Sequence, residues 1–425
     1  MTLTEMATAA STDRNRAVDA YRALAMLAVA LGHWLVIAVG TDADGEIVAR
    51  NALEVAPHLA WLTWVFQVMP LFFVVGGFAS AMSLDAHWSR GGADHDWVAG
   101  RLRRMVTPTA LLAAVWLGIV ALGTSAGAGG MVAAGAVGAA IPLWFLANYT
   151  IDTAFAPTVL RSLRRHRTGT LATLLVAFAT VEILHLAGLP LIGHVNWVLG
   201  WMLFQVGGFL WRDSCLPTGR RLWASAAALW GAAVALVALG PWPMTMIHVS
   251  GVPFSPTHPP SLALVVFGAA FSATAIAVAP AVTAFLGRNR TAWMAVVAGN
   301  AVSMSVYLWH FTAAVAASAA FYALGVLPTA TIGTGAWWLQ KVPVVVASLI
   351  VLAPLVGFVS RVERRALLAP RPTRSRAPRA VVGLAALTSA SLKLWSIGHV
   401  GGALVGMAGL VAVSVLLDRP SGVVA

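Results

Sequence analysis

The chain is dominated by a recurrence: apolar stretches, each long enough to cross a bilayer, follow one another with only short charged loops between them. A hydrocarbon core about 30 Å thick needs about 20 residues of helix. Runs of that length occur near residues 20–39, 59–84, 106–124, 131–151, 169–187, 195–211, 222–240, 261–286, 299–325 and 337–359. A helix satisfies its own backbone hydrogen bonds, which lipid cannot do. The pattern therefore predicts an all-α polytopic membrane bundle of about ten transmembrane helices. A further apolar region, 380–417, is interrupted by Lys393, Gly398, His399 and Gly401 and suits a C-terminal hairpin or an extra span. The chain divides accordingly into an N-terminal tail (1–15), a ten-helix membrane domain (16–365), a basic linker (366–379) and an additional hydrophobic segment with its tail (380–425).

Composition supports lipid as the solvent. The 425 residues are 59% hydrophobic and only 10% Asp, Glu, Lys or Arg, against about 25% charged in an ordinary soluble domain. The mean hydropathy is +0.83. A net charge of +12 invites a nucleic-acid reading, but the charges sit in short loops between apolar runs rather than on one face, which argues against it. Cys215 is the only cysteine, so no internal disulfide and no cysteine-based metal site is expected. Arg14 and Arg16 precede the first run, yet no small-residue cleavage site follows, so that run reads as an uncleaved first helix. Alanine and arginine usage, with lysine scarce, suits a bacterium of high GC content.

The loop charges orient the bundle. With the N-terminus cytoplasmic, the inner loops collect Arg90, Arg101, Arg103 and Arg104, then Arg161, Arg164, Arg165 and Arg167, then Arg212, Arg220 and Arg221, then Arg288 and Arg290, and finally Arg361 to Arg379. The outer loops keep only Arg50 and Lys341. This is the positive-inside pattern, and it predicts a multi-pass protein of the plasma membrane. The loop from Gly240 to Pro260 carries six prolines and reads as a stiff, irregular outer cap.

Against this background a few polar groups lie where lipid should be, and such groups usually face a cavity or a partner. The first run holds Asp19, Arg22 and His33. Eleven residues separate Arg22 from His33, which places them within about 20° on one face and about 16 Å apart along the axis. The ninth run places His310 at a similar depth, with Ser303 and Tyr307 one turn apart before it. A buried histidine can simply hydrogen-bond between helices. Two at matched depth, one stacked over Arg and Asp, favour proton chemistry, since a neutral imidazole suits general-base work on an alcohol. Glu182 and His185 share a face of the fifth run, where a structural pair is the first reading. Arg101-x-x-Arg104 ahead of Pro108 is ordinary inner-loop charge or a clamp for phosphates.

These residues together carry a resemblance. Arg22-x10-His33 in its Val18 to Ala25 setting, Phe72-Phe73-Val74-Val75-Gly76-Gly77-Phe78, Arg101 to Arg104 followed by Pro108, Trp144-Phe145-Leu146 and Tyr307-Leu308-Trp309-His310 resemble, in order and spacing, the motifs of acyltransferase family 3. The resemblance runs from about 16 to 365, with Ala23 where glycine is common. It implies a stand-alone membrane O-acyltransferase that moves an acyl group, commonly acetyl, from acyl-CoA to a hydroxyl of a carbohydrate, glycolipid or similar acceptor. No tightly bound cofactor and no metal is implied, acyl-CoA being a co-substrate. Carried over, His33 is the general base or acyl relay, with Arg22 and Asp19 beside it. Arg101 and Arg104 contact the donor's phosphates, and Phe72, Phe73 and Gly77 pack around the site. Ser303, Tyr307, His310 and Glu182 are read as lining it.

Two other classes compete. A proton-coupled secondary transporter or exporter would use His33, Glu182 and His310 as a proton path, although no internal repeat is visible. A non-catalytic scaffold would need no particular residue at 33.

Overall fold

The computed structural model describes residues 15–41, 47–368 and 406–411. The expected N-terminal tail, most of the basic linker and most of the 380–417 segment lie outside the described residues. The long helices are α1 (Arg16–Val36), α2 (Met69–Trp88), α3 (Asp94–Ser125), α4 (Gly129–Ala140), α5 (Leu143–Arg165), α6 (Arg167–Leu186), α7 (Asn196–Arg212), α8 (Gly219–Leu239), α9 (Leu262–Arg288), α10 (Arg290–Ala323) and α11 (Gly335–Leu368). Among the described residues the only sheet is a two-stranded ribbon, β1 (Ile37–Thr41) with β2 (Ile47–Asn51), which follows directly from α1. The protein is thus all-α and polytopic.

Eight helices are long and apolar enough to cross a membrane among the described residues, with α4 and α5 counted as one span. Two of the ten expected runs are not among the eight. The first, α1, carries Asp19, Arg22 and His33, the groups that drew attention in the sequence. The other, α7, has 17 residues, about 25 Å of rise.

By packing, the described residues sort into two units. The first takes those within Met1–Gly32, Asn51–Ala86 and Phe155–Ser303, and the second those within His33–Arg50, His87–Ala154 and Met304–Ala425.

In the first unit glycines set how closely helices approach. A Cβ on Gly208 of α7 would lie 1.9 Å from the Val74 carbonyl oxygen of α2, and one on Gly77 would lie 2.1 Å from the Gln205 oxygen of α7. The two helices therefore meet backbone to backbone, as lipid-embedded helices do through small residues. Phe73, fully buried, stacks on Trp201 of α7 at 4.7 Å beside this crossing. At one end of the unit Arg164 donates to both oxygens of Asp213 (2.7 and 2.8 Å) and of Asp85 (2.6 and 3.2 Å), tying α2, α5 and the end of α7 together. The proline-rich segment between α8 and α9 is pinned to the approach of α2. Trp64 Nε1 donates to the Met244 carbonyl, Gln67 Nε2 to the Met246 carbonyl, and Thr63 Oγ1 accepts from the Met246 amide.

In the second unit α3 turns back into α4 through Gly127, whose φ of +80° belongs to the left-handed region that ends many helices. The break between α4 and α5 at Pro142 leaves a carbonyl to which the buried Tyr307 hydroxyl of α10 donates. Lys341, expected in an outer loop, lies instead inside α11 and is buried. Its ammonium donates to the Ile37 carbonyl and sits 5.6 Å from the Trp337 ring. Carbonyl and ring together replace the water that a loop position would have offered.

Gly208→Ala is expected to cost at least about 1–3 kcal/mol of overpacking, because a backbone oxygen cannot yield as a side chain can. Gly231→Ala on α8, where nothing lies within 4 Å, should leave the melting temperature unchanged or higher. Thermal unfolding in detergent checks both, and equal melting temperatures for the two variants would contradict the close crossing.

Candidate active site

The second unit brings two of the expected residues into direct contact. His33 lies in the last turn of α1 and His310 in the middle of α10. Their rings are nearly coplanar (13°), with His33 Nδ1 2.9 Å from His310 Nε2. The other nitrogen of His310, Nδ1, is 2.7 Å from the Tyr307 carbonyl one turn earlier on the same helix. Trp34 Nε1 donates to the His310 carbonyl at 3.0 Å, and Phe311 packs 4.9 Å from the His33 ring. His310 is completely buried, whereas His33 keeps partial exposure.

The acceptors fix the protons. A carbonyl only accepts, so His310 must carry its hydrogen on Nδ1. Neutral His310 then offers a lone pair at Nε2, and His33 must donate to it from Nδ1. That leaves Nε2 of His33 unprotonated. In a neutral chain of this kind the uncommitted lone pair sits on the one nitrogen of the four that has neither a carbonyl nor another imidazole beside it. The logic is that of any imidazole oriented by a group behind it.

The first unit gathers the arginine. Arg22 Nε donates to Asn300 Oδ1 at 2.7 Å, and the Asn300 amide donates in turn to the Asp19 carbonyl at 2.8 Å. The buried Asp19 carboxylate stands 3.9 Å from Arg22 Nη2. Within each unit α1 therefore meets α10, through Arg22 and Asn300 in the first and through His33 and His310 in the second.

The remaining expected residues fall in several places. Arg101 and Arg104 lie in α3 of the second unit, and Arg101 stacks over Trp97 at 5.1 Å. Further along α3, Trp116 Nε1 donates to Thr312 Oγ1 of α10 at 3.0 Å, two residues past His310. Arg104 and Arg101 precede Trp116 by twelve and fifteen residues, about 18 and 22 Å of helix, with Pro108 between. Tyr307 contributes through its carbonyl, while Ser303 bonds back to the Asn300 carbonyl. Phe73 and Gly77 serve the contact with α7, and Phe72, next to them, is partly buried. Glu182 bonds to the backbone and side chains of other segments. Its carboxylate accepts from the Leu262 amide at the start of α9 (3.0 Å) and meets the Asn196 amide at 3.3 Å.

Sequence reasoning missed Asn300, Trp34 and Phe311. Asn300 had a signal, an amide inside an apolar run. Trp34 and Phe311 had none, because aromatic residues are common in every span. The Tyr307 carbonyl is invisible in principle, since every residue has one.

No curated protein and no solved structure matches this chain. The family model described as an acyltransferase domain matches residues 15–359, which takes in both α1 and α10 whole and most of α11. The chain belongs to that family of membrane acyltransferases, and is an enzyme that transfers acyl groups other than aminoacyl groups.

Proposed function

We propose that this enzyme takes an acyl group, acetyl first among them, from acyl-CoA and places it on a hydroxyl of a carbohydrate or glycolipid acceptor. The N-terminus and the Arg101–Arg104 end of α3 face the cytoplasm, where CoA is found. The observation that carries the reading is the hydrogen-bond chain from the Tyr307 carbonyl through His310 to His33, which leaves His33 Nε2 as the free base.

In this mechanism His33 Nε2 removes the acceptor's hydroxyl proton as the oxygen attacks the thioester carbonyl. The new C–O bond forms, the C–S bond breaks, and the departing thiolate takes the proton back from His33 Nε2, leaving free CoA and neutral imidazole. While His33 is protonated, its Nδ1–H stays on His310 Nε2, so the transient cation is shared between two rings in a region poor in water. The same lone pair would serve a covalent acyl-histidine, and labelled protein isolated after incubation with donor alone would distinguish that route. The separation of Arg101 and Arg104 from the level of His310 along α3 suits a donor whose phosphates and thioester are joined by an extended pantetheine arm. Arg22, held by Asn300 and Asp19, adds positive charge on the helix that carries the base.

His33→Ala should lower CoA release from labelled acetyl-CoA by about 10²–10⁴-fold at equal folded yield. His310→Phe, which removes the acceptor behind His33 Nδ1, should lower kcat comparably and leave the donor KM nearly unchanged. Wild-type protein that releases no CoA from any acyl-CoA, or a fully active His33→Ala, would overturn the proposal.

Arg101→Gln and Arg104→Gln should each raise the KM for acetyl-CoA by about tenfold or more, as expected for a lost charged hydrogen bond, with a smaller effect on kcat. With an acetyl-pantetheine donor lacking the nucleotide and its phosphates, the same variants should match wild type. Equal losses with both donors would remove the phosphate role from these arginines.

A further inference from the structure

At the corner where α9 ends and α10 begins, the first unit carries a groove of about 600 Å³ lined by Ala281, Ala284, Phe285, Arg288, Asn289 and Arg290. Four of these residues, 281, 284, 285 and 288, follow the spacing of one helix face. Three apolar residues thus form a wall about 10 Å long that ends in a guanidinium. Phe285 is 57% exposed along it. Asn289 is occupied with capping, its Oδ1 accepting from the Ala292 amide.

The two arginines at the head of the groove are exposed, and neither has a partner among the described residues. Their own helices supply none, because α9 and α10 contain no Asp or Glu. The nearby Arg16 adds charge without relieving it. Its Nη1 donates to the Leu286 carbonyl at 2.9 Å and its guanidinium lies 5.1 Å from the Trp293 ring. Arg164, in the same unit, shows the alternative, a guanidinium enclosed by two carboxylates.

We infer that this groove is a binding site for an anionic phospholipid, with the phosphate between Arg288 and Arg290 and an acyl chain along Ala284, Phe285 and Ala281. The apolar wall belongs to a membrane-spanning helix and its charged end to the helix terminus, which matches the order of chain and headgroup in a leaflet. Two unneutralised guanidiniums favour a lipid of net negative charge. They repel the ammonium of a zwitterionic headgroup.

The test uses the full purified chain in neutral detergent, with phosphatidylglycerol and phosphatidylcholine of identical acyl chains. Bound lipid is followed by native mass spectrometry and by the shift in melting temperature. Wild type should bind phosphatidylglycerol at least about tenfold more tightly than phosphatidylcholine. Arg288→Gln/Arg290→Gln should lose that preference, and Ala284→Trp, which fills the groove and leaves its charge, should lose it too. Arg220→Gln/Arg221→Gln, removing an equal exposed charge from α8, should keep it. A preference that survives both groove variants, or one lost equally with the α8 pair, overturns the site. So does a stabilisation reproduced by inorganic phosphate or CoA without lipid.

Discussion

The arrangement rests on one hydrogen bond within a single helix turn, from His310 Nδ1 to the carbonyl of Tyr307. It is local, three residues along the chain, and survives as long as α10 is helical. Because its acceptor carries no formal charge, it orients an imidazole without burying an anion, which would be costly in lipid. Everything proposed for His33 follows from it. The direction of the second hydrogen bond, the tautomer of His33 and the availability of Nε2 are consequences of a carbonyl's inability to donate.

The cations are stabilised in different ways, and the contrast separates structure from chemistry. Arg164 is closed between two carboxylates, a geometry that engages all three of its nitrogens and ties three segments together. Lys341 relies on a carbonyl and an aromatic face, which suffices for an ammonium that has only to be held. Arg22 is fixed through its Nε by an amide from another helix. The Asp19 carboxylate stands 3.9 Å from its Nη2.

Much of this was legible in the chain because membranes impose strong rules. The all-α class followed from the length of the apolar runs, and the motifs that signalled the family sit on α1, α2, α3, α5 and α10. The histidine pairing was only half visible: depth matched His33 to His310, but nothing in the letters said that the two rings would share a proton. The Gly77 motif told of a tight approach but not that its partner is Gln205 and Gly208 of α7, because small residues on one apolar run do not say which other run they face. Lys341 was misplaced because a lysine near a span end ordinarily reaches for water, and here a carbonyl and a ring substitute for it. Glu182 was placed near chemistry because a carboxylate in an apolar run stands out. One of its partners, the first amide of α9, is eighty residues away and belongs to the backbone.

That last contact has a mechanical side. A carboxylate at the positive end of a helix is part of that helix's termination, so Glu182 functions as a fastener of α9 rather than as a movable charge. A carrier that loaded and unloaded a proton there would have to loosen the first turn of α9 at every cycle, together with the proline-rich segment that leads into it. An enzyme working as proposed here, through groups on α1 and α10, places no such demand on the joint, and can leave it permanently shut.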